Sequence, residues 1–123
     1  MLPVELSCQQ QGGQAEIVLR AQAELFWFRG HFPGQPILPG VAQLDWVMHY
    51  GLKLLAPDKA FSSVENIKFQ QPILPGSTLK LMLSWNAAKN WLLFDYQILG
   101  AEQPQRASSG KIALNHSAKT ATC

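Results

Sequence analysis

Pro39-Gly40-Val41-Ala42-Gln43-Leu44-Asp45-Trp46-Val47-Met48-His49-Tyr50-Gly51-Leu52-Lys53-Leu54-Leu55 is the stretch whose reading decides the fold. Pro39 suits the first turn of a helix, where its missing N–H is not needed. No breaker follows until Gly51, and Ala56-Pro57-Asp58 ends the run, so the spacing predicts one helix over 39–55. Apolar side chains fall on every side of it: Val41, Leu44, Trp46, Val47, Met48, Tyr50, Leu52, Leu54 and Leu55. A helix apolar all round is expected to be enclosed by other structure. Asp45 and His49, four positions apart, share one of its faces.

Outward from this helix the chain reads as strand. Residues 3–10 and 14–23 flank Gly12-Gly13, a hairpin dipeptide. In the second run Ile17, Leu19 and Ala21 alternate with Val18, Arg20 and Gln22, as in a sheet with one protected face. Beyond the helix come four short runs, 62–70, 78–86, 91–99 and 105–114, separated by Pro75-Gly76, by Ala88-Lys89-Asn90 and by the segment Gly100 to Pro104. The last residues, Asn115 to Cys123, lack bulky apolar side chains and are expected to fray. The predicted class is α+β, a curved antiparallel sheet of about six strands around one long central helix. It forms a single domain over 1–114 with a flexible tail over 115–123. The hexapeptide QPILPG occurs at 35–40 and at 71–76. The first copy runs into the helix and the second into a strand through a Pro-Gly turn, so the two do different work and do not make a repeat protein.

Composition narrows the function classes. The 123 residues fit one domain. They are 47% hydrophobic and only 15% charged, which excludes disorder and asks for a partner surface. No apolar run approaches the roughly 20 residues of a membrane span. A net charge of +2, with Lys and Arg scattered singly, argues against a nucleic-acid partner. Cys8 and Cys123 form no CxxC pair, and Met1 to Glu5 lack the basic-then-apolar pattern of a leader. The chain therefore reads as cytoplasmic and reduced, without a disulfide.

Between the second strand and the helix lies an apolar loop, Leu25 to Gly40, with three prolines, three glycines and one histidine, His31. It is too broken for regular structure and too apolar to be floppy, which makes its histidine a candidate for chemistry. The acid–base candidates are His31, Asp45 and His49. At the helix start the N–H groups of Gly40 and Val41 point outward, where partial positive charge collects. They are suited to hold a developing enolate or thioester oxygen, and Gly40 has no side chain to obstruct it. Each residue also has an ordinary explanation. A loop histidine is more often structural than catalytic, and His49 could be a plain hydrogen-bonded helix residue. Asp45 could face solvent, although a carboxylate buried in an apolar helix asks for a partner.

Gly30-His31-Phe32-Pro33-Gly34-Gln35-Pro36-Ile37-Leu38-Pro39-Gly40-Val41-Ala42-Gln43-Leu44-Asp45 closely resembles the signature of the 3-hydroxyacyl-[acyl carrier protein] dehydratases of the FabA/FabZ group. There a histidine in G-H-F-P-G-x-P-x-x-P-G is followed fourteen positions later by an acid on the helix of a hot-dog fold, the separation of His31 and Asp45. NIKFQQPILPGSTLKL, from Asn66 to Leu81, resembles the family's later strand–turn–strand segment, so the likeness covers residues 26–114. PGVAQLDW also resembles the ApeI-type dehydratases of aryl polyene pathways.

The resemblance implies a lyase that dehydrates a (3R)-3-hydroxyacyl thioester. His31 would take the proton beside the thioester, and Asp45, kept protonated in a low-dielectric tunnel, would protonate the departing hydroxyl. Gly40, with Val41, would bind the thioester oxygen, and Phe32, Trp46, His49 and Phe69 would line the acyl tunnel. It implies no metal or organic cofactor and a homodimer, because the family pairs the histidine of one subunit with the acid of its neighbour. It implies an acidic acyl carrier protein as partner, met by Arg29, Lys68 or Arg106, and neither nucleic acid nor membrane. Two positions depart from the family: His49 stands where Gln is usual, and Trp46 follows the acid where small residues are usual. A hot-dog thioesterase, using a carboxylate and water, and a non-catalytic acyl-binding subunit of a synthase are the alternatives.

Overall fold

The structure, a computed structural model, describes residues 2–23 and 37–116. Within them lie β1 (Val4–Gln11), β2 (Gln14–Ala21), α1 (Gly40–Leu54), β3 (Lys59–Phe69), β4 (Ser77–Asn86), β5 (Trp91–Ile98) and β6 (Gln105–His116). The strands form one antiparallel sheet in the order β1-β2-β4-β5-β6-β3, with α1 packed on one face. This is the hot-dog arrangement that the sequence resemblance implies.

Local chemistry explains the strands. Gly12 turns the β1–β2 hairpin at φ 60°, a conformation that favours glycine. Alternation then sorts the side chains. Ile17, Leu19 and Ala21 of β2, Leu79, Leu81 and Leu83 of β4, and Leu92, Phe94 and Tyr96 of β5 are buried on the helix side. Their neighbours Glu16, Met82 and Asp95, paired across β2, β4 and β5, form a row on the opposite, outer face.

α1 covers the inner face with Ala42, Gln43, Trp46, Val47, Tyr50 and Gly51. The expectation of a helix enclosed on all sides does not hold for the single chain. Val41 is 65% exposed, and Asp45 and His49 are exposed beside it. Residues four apart lie nearly above one another on a helix, so these three make one stripe turned away from the sheet. One sheet can cover only one side of a helix. Asp45 is accordingly not buried in an apolar interior here.

At the β3–β6 edge two boundaries differ from the sequence reading by more than one residue. β3 begins at Lys59 rather than residue 62, and β6 runs to His116, with Lys59 opposite His116 and Ala60 opposite Asn115. Asn115 and His116 are thus strand rather than tail. Ladder hydrogen bonds hold them although their side chains bury nothing. The rest of the expected tail, 117–123, lies outside the described residues.

The two QPILPG copies meet. The Leu38 N–H donates to the Ile73 carbonyl at 2.8 Å, and both side chains are buried. The second copy ends at Gly76, φ 84°, whose N–H reaches the Ala21 carbonyl at 2.6 Å and turns the chain into β4. The first ends at Gly40 and enters α1.

Gly51 lets α1 lie close to the sheet, since a Cβ there would run into Cδ2 of the buried Leu92. Gly51→Ala is expected to destabilise the fold by about 1–3 kcal/mol through overpacking, despite alanine's better helix propensity. A thermal melt lowered by several degrees checks this.

Candidate active site

The first turn of α1 rests on one inner-face row of the sheet. Reading across the ladders, Ile17, Leu81, Tyr96, Ser108 and Phe69 stand side by side on β2, β4, β5, β6 and β3. Gln43 sits on the polar middle of this row. Its backbone carbonyl accepts the Tyr96 hydroxyl at 2.6 Å, its Oε1 accepts the Ser108 hydroxyl at 2.7 Å, and its Nε2 donates to the Leu38 carbonyl at 3.3 Å. Gln43 is 4% and Ser108 0% exposed, so these bonds form away from water. Burial, followed by the charges of Tyr50 and Asp45, pushes the Tyr96 hydroxyl well above its ordinary range and keeps it a donor.

Just before this turn the backbone opens outward. Pro39 caps the helix without any side-chain hydrogen bond, and its carbonyl takes the N–H groups of Ala42 and Gln43 at 3.1 and 3.2 Å. The N–H groups of Gly40 and Val41, one step earlier, have no acceptor among the described residues. No acidic side chain stands in the first turn to compete for them. A cleft of about 380 Å³ opens here, lined by Ile37, Leu38, Pro39, Gly40, Gln43 and Phe69 with Gln70, Gln71 and Pro72. The Phe69 ring lies against Gly40, where an added Cβ would be 2.7 Å from its Cζ. The cleft therefore combines an apolar wall with backbone donors at the positive end of a helix.

Asp45 lies five residues along the helix from Gly40, about 7.5 Å by the helical rise. It occupies the open stripe with Val41 and His49. The His49 ring meets Tyr50 edge-on, with centroids 4.9 Å apart.

The expected site residues thus separate into groups. Gly40 and Phe69 meet at the cleft, while Asp45, His49 and the Val41 side chain share the exposed stripe. Trp46, expected to line a tunnel, is fully buried in the core, because the position after the acid turns toward the sheet. Lys68 and Arg106 point to the outer face, where Arg106 Nη2 pairs with Asp95 Oδ2 at 2.9 Å. His31, Phe32 and Arg29 lie outside the described residues.

The outer face carries a larger depression, about 800 Å³, which includes Glu16, Met82, Asp95, Lys68 and Lys111. It has the sheet between it and the helix start, so the smaller cleft is the candidate site. Sequence reasoning missed Gln43, Ser108 and Tyr96. Two signals were available: one amide inside an apolar helix, and a serine on the inward parity of β6 set by Ile112 and Leu114.

Comparison with known proteins gives a consistent answer. Residues 7–111 match the family described as ApeI-like, ApeI dehydratase. A crystal structure of an uncharacterized protein from Erwinia carotovora subsp. atroseptica is 55% identical, with TM-score 0.87, over 94% of this chain and 98% of that one. The dehydratase heterocomplex ApeI:P from Xenorhabdus doucetiae contains a chain 50% identical, with TM-score 0.86, over 93% and 98%. A 3-hydroxyacyl-[acyl-carrier-protein] dehydratase FabZ of Geobacter metallireducens is 36% identical over 72 residues, which are 51% of this chain and 48% of that one. The chain thus spans about half the length of the curated relatives it matches.

Because the atom that crowds Gly40 is the far end of an exposed ring, Phe69 can swing aside for a methyl group. Gly40→Ala is expected to change stability by less than about 1 kcal/mol, in contrast to Gly51→Ala, where a buried leucine must move. Parallel denaturant melts of the two variants check this.

Proposed function

The chain belongs to the ApeI-like dehydratase family, and we propose that it dehydrates a (3R)-3-hydroxyacyl thioester, carried on an acyl carrier protein, to the trans-2-enoyl thioester. The observation that carries this reading is the cleft at the start of α1, where the Gly40 and Val41 N–H groups, without an acceptor among the described residues, lie beside the apolar ring of Phe69. A thioester carbonyl seated there would meet donors aimed at the oxygen on which charge develops.

The proposed chemistry balances without a cofactor. His31 removes the proton from C2, the electron pair moves onto the thioester oxygen as an enolate, and it then returns to form the C2–C3 double bond as the C3–O bond breaks. Asp45 delivers a proton to the leaving hydroxyl, which departs as water. The Gly40 N–H, supported by that of Val41, stabilises the carbonyl oxygen between these events. His49 faces the same space as Asp45, and Phe69 walls the acyl path beside Gly40. The likeness to the ApeI-type chain favours a conjugated, polyene-elongating substrate over a saturated one.

The same reading requires a second chain. Asp45 lies on a surface that the monomer leaves open, together with Val41, and the edge strand β3 beside it exposes Phe61, Val64 and Phe69. A partner on this side would bury the apolar groups and enclose Asp45, turning an exposed carboxylate into one in a low-dielectric site. The proposed partner is a second copy, placed so that His31 of one chain meets Asp45 of the other. The related structure is named a heterocomplex, so a different chain is the competing occupant. The proposed domain runs over 1–116, and the acidic carrier approaches the cleft mouth.

Purified chain mixed with a 3-hydroxyacyl pantetheine thioester is expected to produce the ultraviolet band of the conjugated enoyl thioester without releasing thiol. His31→Ala and Asp45→Asn should each lower the rate by about 10²–10⁴-fold with the fold intact by circular dichroism. Thiol release in place of the enoyl band would show a thioesterase, and unchanged turnover in both variants would remove the assigned roles.

A further inference from the structure

We infer that Gln43 is a positioning residue, which sets the direction of the Gly40 N–H by locking the first turn of α1 to Tyr96, Ser108 and Leu38. The inference rests on the dehydratase reading of the helix-start cleft and names the part of the fold that holds it in register.

Three observations converge on this amide. First, it is a buried polar group with no part in the proton transfers, at 4% exposure inside a helix whose other sheet-facing residues are Ala42, Trp46, Val47, Tyr50 and Gly51. Burying an amide is costly unless its hydrogen bonds are met, and here Ser108 and Leu38 meet them. Second, its bonds reach both sides of the peptide in question. Nε2 holds Leu38, two residues before Gly40, and the backbone carbonyl of Gln43, three residues after it, holds Tyr96. The Gly40 peptide is thus suspended between two fixed points. Third, the amide has one satisfactory orientation. With Oε1 toward the Ser108 hydroxyl and Nε2 toward the Leu38 carbonyl, both contacts are donor to acceptor. Turned over, Oε1 would face the Leu38 carbonyl oxygen, acceptor against acceptor. The lock has a single setting.

The anchors themselves are rigid. Ser108 and Tyr96 are directly paired across β6 and β5 in the middle of the sheet, and both are fully buried. Next to them, the Ala107 carbonyl accepts the Gln70 and Gln71 N–H groups at 2.8 and 3.2 Å. These two residues line the cleft. The strand that carries Ser108 therefore also holds part of the cleft lining. An oxyanion donor acts only if it is aimed before charge develops, and a displacement near 1 Å can cost about a hundredfold in rate.

The test compares wild type with Gln43→Met, which removes both side-chain bonds at similar volume, and with Ser108→Ala, which removes one of them and leaves α1 unaltered. Two readouts are needed, measured well below the melting temperature of each protein. One is turnover of 3-hydroxyoctanoyl pantetheine. The other is the carbonyl ¹³C shift of bound trans-2-octenoyl pantetheine, which reports polarisation by the backbone donor. The expected result is a kcat lower by about tenfold to a hundredfold in Gln43→Met and by less in Ser108→Ala, with KM changed by no more than about threefold. The bound carbonyl shift should move back toward its free value in the same order. Folded variants that keep the wild-type kcat and carbonyl shift would overturn the inference, and so would a rate that falls only with the folded fraction. A wild-type chain that polarises the bound carbonyl yet dehydrates nothing would instead sink the dehydratase reading. Loss of that polarisation in Gln43→Met would then still support the positioning role.

Discussion

The fastening of one helical turn to one row of the sheet is the constraint on which the remaining structure depends. Helix α1 has no side-chain cap and no acidic residue in its first turn, so its start is not fixed by the usual local devices. It is fixed from below, through the Tyr96 hydroxyl on the Gln43 carbonyl and the Gln43 amide between Ser108 and Leu38. Each such bond contributes only about 0.5–1.5 kcal/mol net, but leaving one of these buried groups unpaired costs about 1–3 kcal/mol. The arrangement therefore holds as a unit. It leaves the Gly40 and Val41 donors without an acceptor among the described residues, and it places Phe69 against Gly40 from the neighbouring strand.

Much of this was legible in the sequence because period and punctuation agree. The helix over 40–54 follows from Pro39 and the uninterrupted run to Gly51, and the buried face of β2 follows from the alternation of Ile17, Leu19 and Ala21. The doubled QPILPG predicted a helix entry and a strand turn, and both are observed. Its further property, the hydrogen bond from Leu38 to Ile73, could not be read from the letters, because they do not say that the copies lie side by side.

Other features escaped for physical reasons. An apolar helix surface shows that something must cover it, but not whether that is the chain's own sheet or another molecule. Here the sheet takes Trp46 and Val47, and the Val41–Asp45–His49 stripe is left open. The same ambiguity made Trp46 look like a tunnel wall, when a position one residue past Asp45 is turned by about 100° toward the core. Asn115 and His116 looked like tail because strand pairing depends on the backbone of a partner, Lys59 and Ala60, that composition does not reveal. The polar lock was hidden because its members, Gln43, Tyr96 and Ser108, are separated by 53 and 65 positions.

These outcomes share a cause. A chain with 15% charged residues has put the apolar helix α1 between its own sheet and an open side. On that side stands the carboxylate proposed to finish the reaction, while the donors that would hold the thioester open at the cleft. The central claim is that the site closes only when two chains contribute, His31 from one and Asp45 from the other. Its most direct test is to co-express His31→Ala and Asp45→Asn chains with different tags and purify the mixed dimer. Each variant dimer alone should be inactive. The mixed dimer should show about half the wild-type activity, because one of its two symmetric sites keeps both groups. A mixed dimer as inactive as its parents would contradict the shared site and place both residues in one chain.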